Sequence, residues 1–502
     1  MISETTALRE TILLDPTSDL PLYQQLYRGL RAAILDGQLA PGTRVPATRA
    51  LASELGVSRA TVQQAFDQLM AEGYLEGKVG SGSFVARTLP EDYLSAPAPQ
   101  PVGRPVVRPQ RVPSRRAASM VEASRLNVAA YPRQKWPAFP VGIPALDAFP
   151  HRVWSRLLAR RWRHPSAELL NHRVPAGYLP LREQIAAYVA TARGVRCTVD
   201  QVIIVAGAQQ GLDLAARVLL DPGDAAWVED PGYIGVRGAL SGAGVRVVPV
   251  PVDSEGLDVA AGRALCPDAR LAYITPSHQF PLGVTMSLGR RLALLEWATQ
   301  ADAWILEDDY DSEFRYCGRP LAALQGIDQT ARTIYVGSFS KVLFPALRLG
   351  YLVVPPDLVD AFMAALSFAA CALPALEQSV LAEFMAAGHF TRHLRQMRVL
   401  YAERQQMLEQ IVQQELGGHL TLAHSQAGMH LLAWLPHGVD DQRVADEAAA
   451  RQVTVMPLSR TTVRRLDRGA LLLGYAATDE AHMRRGVQRL ADALAAAWGC
   501  MT

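Results

Sequence analysis

The sequence predicts a multidomain α/β protein, with a small helical module at the N terminus and a larger domain on a mostly parallel sheet. Three observations carry this. At 502 residues, 49% hydrophobic and 20% charged, the chain is too long for one ordinary domain and has a globular composition. Apolar runs at 201–205, 225–228, 271–275, 304–306, 333–336 and 349–354 alternate with helical stretches such as 212–220, the pattern of βα units. Between the two parts, from 88 to about 121, the composition shifts to Pro, Ala and Arg with no periodic apolar face, which reads as a linker.

The N-terminal module spans 20–87. Leu22, Leu26, Leu30, Ala33 and Ile34 recur at helical spacing ended by Gly37, and a second short helix over 51–55 stops at Gly56. Gly56-Val57-Ser58 then makes a tight turn, with Ser58 placed to cap a third helix whose apolar stripe is Val62, Phe66 and Leu69. After Gly73, residues 74–85 read as two short strands around a glycine-rich tip, a hairpin wing.

The linker, placed at 88–139, carries Arg104, Arg108, Arg111, Arg115 and Arg116 against Glu91 and Asp92. Its prolines favour an extended, semi-rigid chain, and its arginines either touch DNA phosphates or keep it solvated. The larger domain is placed at 140–500. Its last part, from about 396, reads as a long helix followed by a smaller α+β piece that ends in a helix over 483–498. The uncharged stretch 361–376 contains Pro374 and is shorter than the roughly 20 residues of a membrane helix; a buried core helix is expected.

A formal net charge of +2 gives no whole-chain argument for nucleic-acid binding. Cys197, Cys266, Cys317, Cys371 and Cys500 are scattered and odd in number, against a disulfide framework or a zinc site. The first twenty residues show neither a signal nor a transit peptide. A reducing, cytoplasmic setting without membrane or metal is expected.

Lys341 lies in Gly337-Ser338-Phe339-Ser340-Lys341 just after a strand, thirty-three residues beyond Asp308 in Glu307-Asp308-Asp309-Tyr310. A pyridoxal phosphate site needs an amine for a Schiff base, an acid against the pyridine nitrogen, and donors for the phosphate and phenolate oxygens. Lys341 supplies the amine. Asp308, at a strand's carboxyl end, suits the pyridinium, Tyr310 the phenolate, and Ser338 with Arg348 the phosphate. A second anion site falls at Gly207-Ala208-Gln209-Gln210, where a strand ends and a helix begins, so that Ala208 and Gln209 offer free N–H groups. Tyr233 is placed to stack on the ring, and His278 or Gln279 to approach its oxygen. The blander alternatives are an acidic loop or metal cluster at 307–310, a solvated lysine, and ordinary turns elsewhere.

These motifs carry a resemblance. Ser-Phe-Ser-Lys-x-Leu-Phe-Pro-x-Leu-Arg-x-Gly-Tyr from 338, Glu-Asp-Asp-Tyr-Asp-Ser-Glu-Phe-Arg-Tyr at 307–316 and Thr-Pro-Ser-His-Gln-Phe-Pro at 275–281 resemble a fold-type I aminotransferase. Pro-Leu-Tyr-Gln-Gln-Leu, Gly-x-x-Pro-Gly-Thr-Arg-Val-Pro and Gly-Val-Ser-Arg-x-Thr-Val resemble a GntR winged helix-turn-helix. Together the chain resembles the MocR subfamily of GntR regulators, in which the two are fused. The resemblance implies the roles just given, with Lys341 holding the cofactor. It also implies an arginine for an effector carboxylate near the strand over 471–475, for which Arg468 and Arg460 are the candidates. The γ-aminobutyrate-sensing member has an arginine two residues after the stacking tyrosine, where this chain has Gly235.

On the third helix, Arg59, Thr61, Gln63 and Gln64 lie on the polar side, suited to base edges. Arg44 and Arg49 flank the second helix, and Lys78 with Gly80 sits at the wing tip. Residues 1–87 carry eight Lys or Arg against nine Asp or Glu, so bulk charge lends no support, and a protein-binding three-helix module is the alternative. The resemblance implies that Arg49, Ser58, Arg59, Thr61, Gln63 and Gly80 approach duplex DNA, that the operator has paired half-sites, and that the chain is a homodimer. The expected function is a pyridoxal phosphate-responsive transcription factor, acting with or without a small amino compound. It would control vitamin B6 or amino-compound genes, as PdxR-type members control cofactor synthesis. The alternative is a working aminotransferase with an accessory helix-turn-helix.

Overall fold

The computed structural model describes residues 12–78, 82–90, 113–128, 138–171, 175–318, 321–370, 373–464 and 466–498. The chain divides into two compact units, Met1–Arg111 and Val112–Thr502.

In the first unit, α1 (Leu22–Leu35), α2 (Thr48–Leu55) and α3 (Arg59–Ala71) bury the stripes that the spacing marks: Leu26, Leu30 and Ile34, then Leu51, then Val62, Phe66 and Leu69. Gly56 closes α2 at φ 65°, a left-handed conformation that glycine adopts without a Cβ clash. The Ser58 hydroxyl accepts the Thr61 N–H at 3.1 Å, capping α3. Strands β1 (Leu75–Lys78) and β2 (Gly82–Val85) pair antiparallel. The segment before α2 joins them, with Val45 N–H donating to Ser83 O at 3.0 Å.

The second unit opens with α4 (Arg115–Val128), inside the stretch expected to be extended. The helix forms because it has a partner. It packs on the helix over Ile234–Ala243, where Gly242 and Gly244 leave room for Met120 and Arg116. Next come α5 (His151–Arg163) and α6 (Leu179–Arg193), then alternating strands and helices: β3 (Val202–Val205), α7 (Ala208–Leu219), β4 (Ala225–Asp230), α8 (Ile234–Ala243), β5 (Arg246–Asp253), β6 (Gly256–Leu257), β7 (Leu271–Ile274), α9 (Leu288–Gln300), β8 (Trp304–Asp309), β9 (Thr333–Ser338) and β10 (Gly350–Val353).

These strands form one sheet in the order β3-β10-β9-β8-β7-β4-β5-β6, in which β9, β8, β7, β4 and β5 run parallel and β10 runs antiparallel to both neighbours. All six residues of β4 are buried, as a parallel strand covered on both faces requires. Its alternate side chains serve different cores: Ala226 and Val228 pack with Leu212 and Leu240, while Ala225 and Trp227 pack with Leu294 and Trp297. Strand β5 carries no sequence signal because Pro249 and Pro251 interrupt it. Two residues apart, they remove N–H groups on one edge, and only the two-residue β6 lies outside β5.

Beyond the sheet, the uncharged stretch 361–376 is not one buried helix. It spans α10 (Val359–Ala370), which leaves Phe368 93% exposed, and the start of α11 (Ala375–Ala386), whose N-cap is Pro374. The long α12 (His389–Leu416) leads into a smaller sheet of β11 (Thr421–Leu422), β12 (His430–Trp434), β13 (Met456–Pro457) and β14 (Ala470–Gly474), backed by α13 (Asp441–Ala450) and α14 (Glu480–Trp498). Among the described residues no helix is long and apolar enough to cross a membrane, no group of residues could hold a metal, and Cys197, Cys266 and Cys317 are free.

Candidate functional site

Parallel strands bring the residues at their C-terminal ends to one edge of the sheet. Strand β8 ends in Asp308 and Asp309, β7 leads into Thr275, and β9 leads through Ser338 to Lys341. Tyr273 on β7 reaches across to Asp308, its hydroxyl donating to Oδ2 at 2.8 Å. Asp308 Oδ1 is buried with no hydrogen-bond partner among the described residues. Burial pushes the Asp308 carboxyl up to about 7, against the Tyr273 hydrogen bond, with Asp309 adding to the rise and Lys341 opposing it. Lys341 is half-buried and its ammonium donates to Gly142 O at 2.8 Å. Loss of solvent lowers its pKa, while Asp311 and Asp308 pull it back up.

The second acid of the pair has a different task. Asp309 is locked to Arg193 in a buried ion pair at 2.7 Å and accepts the Tyr335 hydroxyl at 2.6 Å. Arg193 also donates to Ser277 Oγ at 2.6 Å and Leu321 O at 2.5 Å, tying α6 to the strand ends. Glu307 accepts the N–H groups of Leu324 and Gln325 at 2.8 and 2.9 Å. The acidic run is built into the frame rather than gathered round a metal: Asp308 and Asp309 each keep one buried oxygen without a partner among the described residues, but Asp309 is neutralised by Arg193 and Glu307 is filled by backbone N–H groups.

Gly350 at the head of β10 pairs with Val205 on one side and Ser338 on the other, bringing the start of α7 beside Ser338. Gly207, at φ 79°, caps α7 without a side chain. The Arg348 guanidinium is next to it, 3.8 Å from where a Gly207 Cβ would lie, and donates to Ala206 O at 3.1 Å. Uncapped N–H groups at Ala208 and Gln209, a hydroxyl and a guanidinium make an anion cradle. Ser338 Oγ accepts the Ser340 N–H at 3.2 Å and keeps its proton to donate.

Tyr233 donates to Gln209 Oε1 at 3.2 Å, and Gln209 Nε2 to Gly235 O at 2.8 Å. A Cβ on Gly235 would lie 2.3 Å from Gln209 Oε1 and 2.4 Å from the Tyr233 ring. The packing of these two side chains requires glycine there.

Tyr310 is held by His278, whose Nδ1 is 3.0 Å from the phenol oxygen and 3.1 Å from both Asp311 oxygens. With the proton on Nδ1 shared toward Asp311, the Tyr310 hydroxyl retains its own proton to donate. His430 from β12 stands with its ring 5.7 Å from His278 and its Nε2 3.1 Å from Pro281 O.

Three expected residues have their side chains taken up by other partners. Gln279 is 1% exposed, and its amide nitrogen is taken up by Glu229 Oε2, Pro231 O and Phe280 O at 3.2, 2.9 and 2.6 Å, so it shapes the loop and has no donor left for a ring oxygen. Arg460 donates to Gln442 at 2.8 Å, and Arg468 donates to Leu435 O and covers the Trp434 ring. Arg237, beside Gly235, is likewise engaged, with Thr461 O at 2.5 Å and Asp230 at 3.4 Å. Residues that sequence reasoning did not single out are Gly142, Tyr273, Asp311 and His430. The density of acids from 307 to 313 was the one signal for Asp311; the others carry none.

The cluster fits pyridoxal phosphate by its own chemistry. A buried carboxylate oxygen without a donor suits a pyridinium N–H, a lysine of lowered pKa stands beside it, and the anion cradle matches a phosphate.

On the first unit, Arg59 and Gln63 are exposed on α3, and Thr61 is half-exposed. Thr61 is linked to Ser58 by hydroxyls 2.9 Å apart, and Gln63 donates to Asp67 at 2.8 Å. Arg44 and Arg49 are exposed, and Arg44 pairs with the wing at Phe84. Lys78 lies over the Phe84 ring at 5.0 Å. Gly80 lies outside the described residues.

Residues 22–85 match the gntR family of bacterial regulatory proteins, and residues 166–490 match the class I and II aminotransferases. The chain is 41% identical over 489 residues to the probable rhizopine catabolism regulatory protein MocR of Rhizobium meliloti, covering 97% of this chain and 96% of that one. It is 31% identical to the pyridoxine biosynthesis transcriptional regulator PdxR of Corynebacterium glutamicum, over 96% of this chain and 98% of that one. Among solved structures, the α-aminoadipate aminotransferase LysN of Thermus thermophilus superposes with a TM-score of 0.69 at 28% identity, covering 77% of this chain and 97% of that one. Both parts are matched, and the first relative aligns along nearly its whole length: the chain belongs to the MocR subfamily of GntR transcriptional regulators, a DNA reader joined to a fold-type I aminotransferase-like domain of the pyridoxal phosphate type.

Proposed function

We propose that this regulator reports pyridoxal phosphate supply. Residues 20–87 read DNA, 88–139 join the two parts with α4 packed on the second unit, and 140–500 would hold the cofactor through Lys341. The observation that carries the reading is the unpartnered Asp308 Oδ1 near Lys341 in a chain that also has a GntR reader. When bound, the cofactor supplies an electron-withdrawing ring and a carbonyl for amines. Asp308 would accept the ring N–H, Tyr310 would donate to the ring oxygen, Tyr233 would lie against the ring, and Ser338, Arg348 and the Ala208 and Gln209 N–H groups would hold the phosphate. Arg44, Arg49, Ser58, Arg59, Thr61, Gln63, Lys78 and Gly80 face the operator. Two copies act on paired half-sites, and the setting is the cytoplasm, where a DNA reader meets its operator.

The signal is the cofactor itself more readily than an amino acid. Arg460 and Arg468 are taken up by Gln442 and Leu435 O, Arg237 donates to Thr461 O and Asp230, and Gly235 admits no side chain in the present packing. The target genes on this reading are those of vitamin B6 supply, in line with the name of the Corynebacterium relative. Regulation of amino-compound metabolism, as the Rhizobium relative's name describes for rhizopine, is the second target class. A working aminotransferase is the competing reading, favoured by the complete set of ring-holding groups.

Titration of the chain's own upstream region separates them. Cofactor should shift the DNA affinity of the natural protein by about 5-fold or more, the usual span of ligand coupling. Lys341→Ala should lose both the shift and the visible absorbance of lysine-bound cofactor. Rapid amino transfer with DNA binding indifferent to cofactor would establish the enzyme instead.

A further inference from the structure

On α5, as in the linker from Arg104 to Arg116, the charge is all of one sign. Over 50 Lys or Arg the protein sets 48 Asp or Glu, yet His-Arg-Val-Trp-Ser-Arg-Leu-Leu-Ala-Arg-Arg-Trp-Arg carries five arginines and no acid. At 100° per residue, Arg152, Arg156, Arg160 and Arg163 fall within an arc of about 80° and along about 16 Å of axis. All four are exposed. The opposite side is the packed one, with Leu157 buried and Trp154 edge-on to Phe384 of α11. Glu383 of α11 pairs with Arg160 and Arg161. Arg152, Arg156 and Arg163 have no carboxylate partner among the described residues.

Local helix energetics do not account for the stripe. Cations in the last turn favour the helix dipole, which covers Arg160, Arg161 and Arg163; Arg152 stands in the first turn, where a cation opposes it. Nor does an i,i+4 acid answer Arg152 or Arg156. The DNA reader, in contrast, is short of charge, with eight basic against nine acidic residues in 1–87. Affinity for duplex DNA grows with the number of phosphates neutralised, and the reader's own balance supplies few.

We propose that the exposed arginine face of α5, built on Arg152, Arg156 and Arg163, is a second DNA-phosphate contact surface, on the cofactor-holding unit rather than on the reader. It rests on the reading of the first unit as a DNA reader. Phosphate contacts carry no sequence information, so the face adds affinity and salt dependence without specificity.

The test uses the full chain and a long duplex of arbitrary sequence, with affinity measured against salt. A triple Arg152→Gln, Arg156→Gln, Arg163→Gln variant should bind more weakly, with the slope of log K against log salt smaller by about 2 to 3, near 0.9 for each phosphate no longer neutralised. The matching triple lysine variant should restore most of the slope, because charge alone suffices for a phosphate. An Arg59→Ala variant should keep the contribution of the face. An unchanged slope in the glutamine variant overturns the proposal and leaves the reader intact. So does a lysine variant that behaves like the glutamine one, or a loss seen only on vesicles containing phosphatidylserine. A natural protein that binds no duplex at all overturns both this proposal and the regulator reading.

Discussion

The Tyr273 hydroxyl donates to Asp308 Oδ2 at 2.8 Å while Oδ1, equally enclosed, has no partner among the described residues. A carboxylate satisfied on one side only is costly to keep ionised, which is why burial carries it up to about 7. The Tyr273 hydrogen bond works against that rise. Removing it in Tyr273→Phe raises the Asp308 pKa further, so at neutral pH less of the cofactor-free protein holds the carboxylate that a pyridinium needs. A hydrogen bond to a charged group contributes about 1.5–3 kcal/mol. Titration of the variant by cofactor absorbance should show about 10- to 100-fold weaker binding at neutral pH, partly recovered in alkaline buffer. Equal affinity at both conditions would show that Tyr273 does not tune Asp308.

Gly142 stands against the other reactive group. Its carbonyl accepts the Lys341 ammonium, its φ is +72°, and an added Cβ would lie 2.6 Å from Lys341 Nζ and 3.2 Å from Cε. Gly142→Ala therefore meets a left-handed backbone and a clash with the amine together. The strain should cost about 1–3 kcal/mol of stability, readable by denaturant unfolding. Displacement of the amine should lower covalent uptake of the cofactor at least tenfold. DNA binding by the cofactor-free variant should be unchanged, since the reader is a separate compact unit.

The elements legible in the sequence are those set by local rules. The Ser58 cap, the Val62, Phe66 and Leu69 stripe, and the runs that become β8 and β9 each depend on residues within a few positions. The placement of Asp308 and Lys341 follows from those two strands, because parallel neighbours end at the same edge. What escaped are contacts between distant segments: Gly142 and Lys341 are 199 residues apart, and Tyr273 and Asp308 are 35 apart. Long side chains are harder still. Proximity to a strand says nothing about where an arginine points, and Leu435 O with the Trp434 ring decides it for Arg468. Helix α4 has little apolar period of its own and owes its form to α8.

His430 gives the molecule an acid-sensitive term whose sign can be worked out. Burial first, then the neighbouring His278, hold its pKa down to about 3 from an ordinary 6.5, with the Pro281 carbonyl opposing. A histidine kept neutral in the fold but protonated when unfolded contributes stability that is complete above about 6.5 and lost as pH falls toward 3. Over that window the loss approaches about 1.4 kcal/mol for each pH unit. Glu229, Asp308 and Glu313 act oppositely: burial raises each to about 7, so their contribution is full at low pH and falls as pH rises toward 7. The profile of the natural protein mixes the two, but its difference from His430→Gln isolates the histidine. Glutamine can still donate to Pro281 O, so the variant carries a packing cost that does not depend on pH. Denaturant unfolding should therefore find the variant's disadvantage at pH 7 reduced by about 2 kcal/mol at pH 5. A disadvantage of the same size at both pH values would mean that His430 is not held neutral by its surroundings.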